Sequence, residues 1–157
     1  MYSVLFAKLA PLGTIYCFEP TDTFDLLKTN METIGLNNVK LENLALSNHK
    51  GTKKDRIYKI WGTDGENQEF PFTTIDDYVA ENKLFISMIK IDVDSYDYEV
   101  LLGAKNTLDS QSPGVLVEVN SGALALRGFK ESDIINFMKA LKYELVAIFD
   151  NENYLFA

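Results

Sequence analysis

The fold of this 157-residue chain is decided by one stretch, Ile89-Lys90-Ile91-Asp92-Val93-Asp94-Ser95-Tyr96-Asp97-Tyr98-Glu99-Val100-Leu101-Leu102-Gly103-Ala104. An apolar run ends there in three closely spaced carboxylates, Asp92, Asp94 and Asp97, and a helical pattern follows at once. This order is typical of a buried parallel strand that delivers acidic side chains to the carboxyl edge of a sheet. Similar outlines occur around Glu19 and Glu118, so we expect one acidic rim that binds or transforms a ligand.

Strand and helix patterns alternate along the rest of the chain. The patterns predict strands over 14–18, 39–46, 56–61, 85–91 and 115–119, and a closing hairpin over 143–149 and 154–156. They predict helices over 4–9, 24–34 and 74–81, a helix that follows the strand over 85–91 and runs to about 108, and a last helix capped by Ser132. Polar loops are predicted over 62–68 and 121–130. This order predicts an open, mainly parallel α/β sheet with an antiparallel edge, in one domain that spans 1–157.

Composition narrows the classes of partner. The net charge is -8, from 15 basic and 23 acidic residues, which disfavours nonspecific binding to nucleic acid or to an anionic membrane. Cys17 is the single cysteine, so the sequence allows no intrachain disulfide and predicts a buried, inert thiol. The absence of a long apolar stretch and of a signal peptide predicts a reducing, cytoplasmic setting with no membrane partner.

Glu19 follows a compact apolar run and is the first candidate site residue. A carboxylate only accepts hydrogen bonds, so it suits the two donors of a ribose diol, as in other doubly wound sheets. The alternative is a surface acid that stabilises the start of the next helix through the helix dipole. Spacing by itself leaves both interpretations open.

The acids after the next predicted strand have an equally plain alternative. Asp94 or Ser95 can be a helix N-cap, with Asp97 in the first turn, whereas Asp92 lies nearest the strand tip and is the better site candidate. Glu118 and Asn120 end the following strand, and Asn120 either binds a ligand or closes a turn. His49 is the only histidine, so no two-histidine metal site is expected.

The segments that contain these residues match the sequence pattern of a known family. The chain resembles FkbM-type methyltransferases, a branch of the Rossmann-like enzymes that depend on S-adenosylmethionine. The matching segments occur in family order and are Gly13 to Pro20, Asn38 to Gly51, Thr74-Ile75-Asp76, Ile89 to Ala104 and Val117 to Asn120. The resemblance implies a Rossmann-like, doubly wound and mainly parallel sheet that ends in a C-terminal antiparallel hairpin.

Two departures from the family pattern stand out. The family usually has Glu-Gly where this chain has Asp94-Ser95, which makes close backbone approach to a ligand less favourable there. The family's first strand and its loop of the type Asp-x-Gly-Ala-Asn-x-Gly have no counterpart, because Met1 to Ser3 aligns with the helix after that loop. We therefore expect an N-terminally truncated, methyltransferase-like domain with the first strand missing.

The resemblance also implies roles for the candidate residues. S-adenosylmethionine is the implied cofactor, and the methyl acceptor is an oxygen of a small molecule or glycan. Glu19 would hold the ribose diol, Leu46 and Ser47 would lie near the adenine, and Asp92 would face the sulfonium end of the cofactor or the substrate. Asp92 or Asp94 would take the hydroxyl proton. Glu118 and Asn120 are predicted to bind the substrate, and no resident metal is predicted.

Two other interpretations stay open at this point. Asp92-Val93-Asp94 is also an Asp-x-Asp pair of the kind that binds magnesium or manganese in glycosyltransferases and in aspartate-nucleophile phosphatases. The missing glycine-rich loop instead favours a non-catalytic remnant or an interaction module that binds no S-adenosylmethionine. The sequence therefore leaves open whether this chain is itself an enzyme.

Overall fold

The computed structural model of the protein describes residues 2–57, 67–93 and 95–157. The chain divides into two compact units, Met1–Ala45 with Thr52–Phe72, and Leu46–Gly51 with Thr73–Ala157. Both units combine helices with β-strands, and the strand pairings are parallel in some places and antiparallel in others. The predicted α/β class is therefore confirmed at this level.

The first unit contains a short parallel βαβ segment. Helix α1 (Tyr2–Leu9) precedes this segment, which consists of β1 (Ile15–Phe18), α2 (Thr23–Ile34) and β2 (Val39–Glu42), with β1 parallel to β2. The C-cap of α2 is Gly35 at φ 73, as its position after the apolar pattern predicts. Asn38 donates through Nδ2 to the carbonyls of Ala7, Ala10 and Gly13, which anchors the end of α1 beside the start of β2.

A second sheet contains three strands that the sequence predicted poorly. They are β3 (Ala45–Leu46), β4 (Gly51–Arg56) and β5 (Asn67–Thr73), in the order β3-β5-β4. The predicted strand over 39–46 is in fact two strands, and the predicted loop over 62–68 already contains the start of β5. Residues 58–61 of the predicted strand over 56–61 lie outside the described residues. Strand β4 is almost entirely exposed and highly polar, so it lacks the apolar alternation that identifies a strand.

The second unit is built around a four-stranded sheet. Its helices are α3 (Ile75–Asn82), α4 (Asp97–Leu102), α5 (Lys105–Gln111), α6 (Ser121–Leu126) and α7 (Glu131–Ala140), and its strands are β6 (Met88–Ile91), β7 (Gly114–Glu118), β8 (Leu145–Phe149) and β9 (Asn153–Phe156). The strand order is β6-β7-β9-β8. Strands β6 and β7 are parallel, whereas β9 is antiparallel to both β7 and β8. The predicted C-terminal hairpin is therefore confirmed.

The period of two along these strands separates a core face from a second, partly exposed face. Val115 and Val117 are fully buried, and they pair in register with Ile89 and Ile91 on β6 and with Phe156 and Tyr154 on β9. The residues between them lie on the opposite face and are less deeply buried than the two valines; they are Lys90, Leu116, Glu118, Asn153 and Leu155. Polar groups near the carboxyl ends of β6 and β7 therefore share the face that is not the core.

The helical stretch after β6 is interrupted, which corrects the prediction of one helix up to about residue 108. Helix α4 ends at Leu102, and α5 begins at Lys105. A Cβ at Gly103 would lie 2.1 Å from the carbonyl oxygen of Ser47, so only glycine fits between the helices at this close approach. Asp76 caps α5, because its carboxylate accepts hydrogen bonds from the amides of Asn106 and Thr107 at 2.9 and 2.7 Å.

Two further predictions between β7 and α7 are wrong. The predicted loop over 121–130 contains α6, whose small residues Ser-Gly-Ala-Leu-Ala give a weak amphipathic pattern with only Leu124 buried. Helix α7 begins at Glu131 with Lys130 as N-cap, so Ser132 lies inside the helix and does not cap it. The amide of Lys130 donates to the carboxylate of Asp133 at 2.8 Å, and this bond sets the start of the helix.

Across residues 2–57, 67–93 and 95–157, every helix is too short or too polar to cross a membrane.

Candidate functional site

Four carboxylates of the second unit gather where β6 and β7 end, and we call them the acidic edge: Asp92, Asp97, Glu118 and Glu152. Asp92 is the first residue after β6, and Glu118 is the last residue of β7. Since β6 and β7 are adjacent and parallel, their carboxyl ends reach the same edge of the sheet. The structure therefore brings Asp92 and Glu118 together, as the pattern of strands that end in acids predicts.

Lys90 supplies a positive charge beside the acidic edge. Its Nζ lies 3.4 Å from Oδ2 of Asp92, and it donates to the carbonyl of Ile91 at 2.9 Å and to Oδ1 of Asn153 at 3.0 Å. Only 8% of the Lys90 side chain is exposed, whereas 43% of the Asp92 side chain is. The ammonium is thus held inside the fold, and the carboxylate of Asp92 is the partner that reaches solvent.

Asp97 is the buried member of the acidic edge. It is 3% exposed at the first position of α4, and its Oδ1 accepts a hydrogen bond from the amide of Val93 at 3.2 Å. Burial raises the pKa of Asp97 to about 6, and hydrogen bonds from the backbone partly oppose that rise. The predicted place of Asp97 in the first helical turn is confirmed, and there it ties the loop after β6 to α4.

The electrostatics of the acidic edge centre on Glu118. Burial raises its pKa to about 7, the negative charges of Asp92 and Asp97 add to the rise, and the positive charge of Lys90 opposes it. A carboxyl group that titrates near neutral pH can hold or release a proton under the conditions in which most enzymes work.

The raised pKa of Glu118 predicts a pH-dependent cost to stability. Between the ordinary pKa of about 4.5 and the folded value of about 7, the unfolded chain releases this proton and the folded chain keeps it. The contribution of Glu118 to the free energy of unfolding therefore falls as the pH rises through that window and is level above it. We expect Glu118→Gln to remove about 1–2 kcal/mol of this loss, after allowance for solvent screening at a half-exposed group.

Urea unfolding of the parent protein and of Glu118→Gln, each at pH 4.5 and pH 8, measures the effect. The control is Asp109→Asn, which removes an exposed charge on α5. An equal decline in the Glu118→Gln variant and the parent protein would contradict the assignment of the raised pKa to Glu118.

Asn120 follows β7 by two residues, and Glu152 directly precedes β9, the strand that pairs with β7. Asn120 is the N-cap of α6, where its Oδ1 accepts from the amide of Ala123 at 2.9 Å, and its Nδ2 donates to Glu152 at 3.0 Å. Of the two alternatives for Asn120, the turn-closing role is the one that these contacts show. The substrate-binding role predicted for Glu118 and Asn120 stays a prediction.

The loop between Asp92 and α4 carries the departure from the family's Glu-Gly pair. Asp94 lies outside the described residues, so its predicted catalytic role stays a prediction. Ser95 has φ 91, a backbone conformation that favours glycine, at the position where the family usually has one. Nearby, Arg127 pairs with Glu99, and its guanidinium lies 3.7 Å from the ring centre of Tyr96, which holds this loop against α6.

Glu19 belongs to the first unit and follows β1 directly. Its Oε1 accepts two hydrogen bonds from Thr21, one from the amide at 2.8 Å and one from the hydroxyl at 2.6 Å. Among the described residues, none donates to Oε2 of Glu19. One carboxylate oxygen therefore fixes the turn before α2, and the other is available for a ligand that brings hydroxyl donors.

The residues predicted near the adenine lie at the end of β3. Leu46 is half-buried, whereas Ser47 is fully buried, and its amide donates to the carbonyl of Thr73 at 3.1 Å. The Ser47 hydroxyl contacts the side chains of Asn48 and His49, both at 3.3 Å. The side chain of Ser47 thus faces protein, and a place beside an adenine stays a prediction for both residues.

The predicted state of Cys17 agrees with its position in β1. It is 9% exposed, and burial raises the pKa of its thiol. Among residues 2–57, 67–93 and 95–157, no three His, Cys, Asp or Glu side chains are grouped to hold a metal ion. The Asp-x-Asp alternative depends on Asp94 and is therefore not decided by the part of the chain that the structure describes.

Two polar residues of the site were missed by the sequence reasoning. Lys90 interrupts the apolar run of β6, and this break in the pattern was a signal that a charged side chain lies on one face of a buried strand. Asn153 was assigned to the turn of the hairpin, and its proximity to Lys90 depends on the pairing of β7 with β9. Only the tertiary structure brings these two residues together.

Comparisons with known proteins define the class. The model of the methyltransferase FkbM domain family matches residues 1–145, so the chain belongs to this family. A solved structure with the same fold is the methyltransferase FkbM from Methylobacillus flagellatus KT, at a TM-score of 0.61 and 14% sequence identity. The match covers 98% of this chain but only 40% of that protein's chain. A comparison with curated protein sequences gives no match.

Proposed function

We propose that this chain is the methyl-transferring part of an S-adenosylmethionine-dependent enzyme with a Rossmann-like fold, which methylates an oxygen of a small molecule or glycan. One observation carries the proposal: in a chain of the FkbM family, the residue directly after β1 is Glu19 and the residue directly after β6 is Asp92. Carboxylates at the carboxyl ends of parallel strands are the usual place for ligand contacts in open α/β sheets.

The residues that are present fit parts of the proposed cofactor. Oε2 of Glu19 accepts from no described residue, and an acceptor-only group suits the vicinal hydroxyls of a ribose. Leu46 and Ser47 at the end of β3 are the proposed neighbours of the adenine. When bound, S-adenosylmethionine supplies an activated methyl group, so the protein contributes mainly orientation of the acceptor and a place for its proton.

The acidic edge supplies the proposed acid–base chemistry. Asp92 is partly exposed at the tip of β6, and we assign it the role of accepting the proton that the acceptor hydroxyl loses. Asp94 is the second candidate for that role. Glu118 and Asn120 are the proposed contacts to the hydroxyl groups of the acceptor, because a carboxylate and an amide accept and donate hydrogen bonds in the way that polyols require.

Glu19→Gln tests the cofactor assignment without removing the local turn. Glutamine keeps one oxygen for Thr21 and replaces the acceptor at Oε2 by an NH₂ donor. We expect the affinity for S-adenosylmethionine to fall about 10- to 100-fold, which corresponds to the loss of a hydrogen bond to a charged group. Isothermal titration calorimetry with S-adenosylmethionine measures this change.

Glu32→Gln is the matched control, because it makes the same exchange at an exposed position of α2. Unchanged affinity in the Glu19 variant would remove Glu19 from the cofactor site. Failure of the parent protein to bind S-adenosylmethionine at all would instead favour the non-catalytic remnant or interaction module.

A further inference from the structure

We propose that Lys90 is a positioning residue for the proposed methyl transfer, which holds the carboxylate of Asp92 at the tip of β6 and sets the charge of the acidic edge. The proposal rests on the proposed function, because it assigns Lys90 a role through Asp92. Lys90 itself is inside the fold, with 8% of its side chain exposed, so it acts through the groups that it contacts.

The contacts of Lys90 show why the ammonium is fixed in place. Its Nζ donates to the carbonyl of Ile91, at the last position of β6, and to Oδ1 of Asn153, at the first position of β9. These two bonds leave the ammonium beside Asp92, with 3.4 Å between Nζ and Oδ2. A lysine that is removed from water in this way needs such partners to remain charged.

The placement also follows from the sheet. Lys90 pairs in register with Leu116, and Glu118 pairs with Asn153, so these residues lie on the half-buried face of the same sheet. Side chains on neighbouring strands of one face are within reach of each other. Lys90 is the second-last residue of β6, and its neighbours on this face belong to β7 and β9.

The charges around Lys90 give it a function beyond packing. Burial raises the pKa of Glu118, the charges of Asp92, Asp97 and Glu152 add to the rise, and the charge of Lys90 opposes it. Without the ammonium, Lys90 would no longer offset the repulsion among these carboxylates, and Asp92 would lose the ion pair at its Oδ2. A purely structural strut between β6 and β9 would hold the strands but would not change the titration of Glu118.

The test compares Lys90→Met, which keeps the length of the side chain and removes its charge, with Lys90→Arg, which keeps the charge. The full chain is labelled with ¹³C at the glutamate carboxyl, and Glu118 is titrated by NMR, with its signal assigned from the Glu118→Gln variant. In Lys90→Met we expect the pKa of Glu118 to rise by about one unit above that of the parent protein. In Lys90→Arg it stays near the parent value.

Activity gives the second readout. Methyl-tritiated S-adenosylmethionine is assayed with a panel of monosaccharides and small polyols, and kcat is measured with the acceptor that reacts fastest. We expect Lys90→Met to lower kcat at pH 7 about 10- to 100-fold, to leave KM for S-adenosylmethionine within about threefold and to move the acidic limb of the pH profile upward. We expect Lys90→Arg to retain most of the kcat of the parent protein.

Three outcomes separate the possibilities. An unchanged Glu118 titration in Lys90→Met overturns the proposal, as does a loss of kcat in both variants that follows the loss of melting temperature. No transfer by the parent protein to any acceptor is a failure of the proposed function, and the titration then decides the role of Lys90 by itself. If Lys90→Met does not fold, Asn153→Ala is used, which loosens the ammonium and should raise the pKa of Glu118 in the same direction.

Discussion

Replacement of Gly103 by alanine is expected to lower the free energy of unfolding by about 3 kcal/mol or more. The new Cβ would lie 2.1 Å from the carbonyl oxygen of Ser47, 3.0 Å from its carbonyl carbon and 3.2 Å from Cα of Asn48. All three are backbone atoms, so no side chain can rotate away. The segment 46–51 or the junction of α4 and α5 must move.

The surroundings of Gly103 make such a movement costly. The amide of Asp76 donates to the carbonyl of Gly103 at 2.9 Å, and the carboxylate of Asp76 caps α5 two residues further on. Ser47 is fully buried, and its amide is bonded to the carbonyl of Thr73. A shift at Gly103 therefore disturbs the cap of α5 as well as the end of β3.

Urea unfolding of the Gly103→Ala variant measures the loss. Gly13→Ala is the control, because its Cβ would meet nothing closer than Cβ of Ala10 at 3.4 Å, an ordinary contact. We expect that control to change stability by less than about 1 kcal/mol. Equal stability of the two variants would mean that the close approach at Gly103 does not exist in the protein.

Asp92→Asn is expected to lower the rate constant of the methyl-transfer step about 10²- to 10⁴-fold, the usual contribution of a general base. Asparagine has nearly the same shape and keeps an oxygen for Lys90, but it cannot accept the proton of the acceptor hydroxyl. Asp92 is partly exposed, so the exchange leaves no buried group without a partner. We therefore expect the fold and the affinity for S-adenosylmethionine to be retained.

The measurement is single-turnover methyl transfer at saturating S-adenosylmethionine, which isolates the chemical step from product release. Asp109→Asn is the control for a lost negative charge in the same unit, since Asp109 is exposed on α5. Full turnover by Asp92→Asn would show that the proton leaves by another route, and Asp94 or Glu118 would then be the next residue to replace.

Much of the second unit could be predicted from the sequence, because its signals are local. The apolar run before Asp92 is β6, and the run that ends in Glu118 is β7. Of the turn-forming residues 150–153, the first three join the two strands of the hairpin, and Asn153 is the first residue of β9. Burial on the core face follows the same alternation, with Val115 and Val117 fully buried. In these elements local propensity and tertiary packing favour the same structure.

The failures share one cause, which is that the decisive contacts lie far away in sequence. Strand β4 is polar and exposed, so only its pairing with β5 makes it a strand. The break between α4 and α5 follows from the close approach of Ser47 to Gly103, 56 positions apart along the chain by subtraction of their numbers. A pattern read over a few residues contains no information about such neighbours.

The candidate site divides in the same way. The local pattern of residues is enough to predict which strands have a carboxylate at their carboxyl end, because a buried strand is apolar and its charged residues follow at its end. The state of those carboxylates depends on tertiary contacts: Asp97 is buried, burial raises the pKa of Glu118 to about 7, and the ammonium of Lys90 lies between Asp92 and Asn153. The reason is physical, since desolvation and Coulomb interactions depend on distances of a few ångströms between residues that chain order leaves far apart.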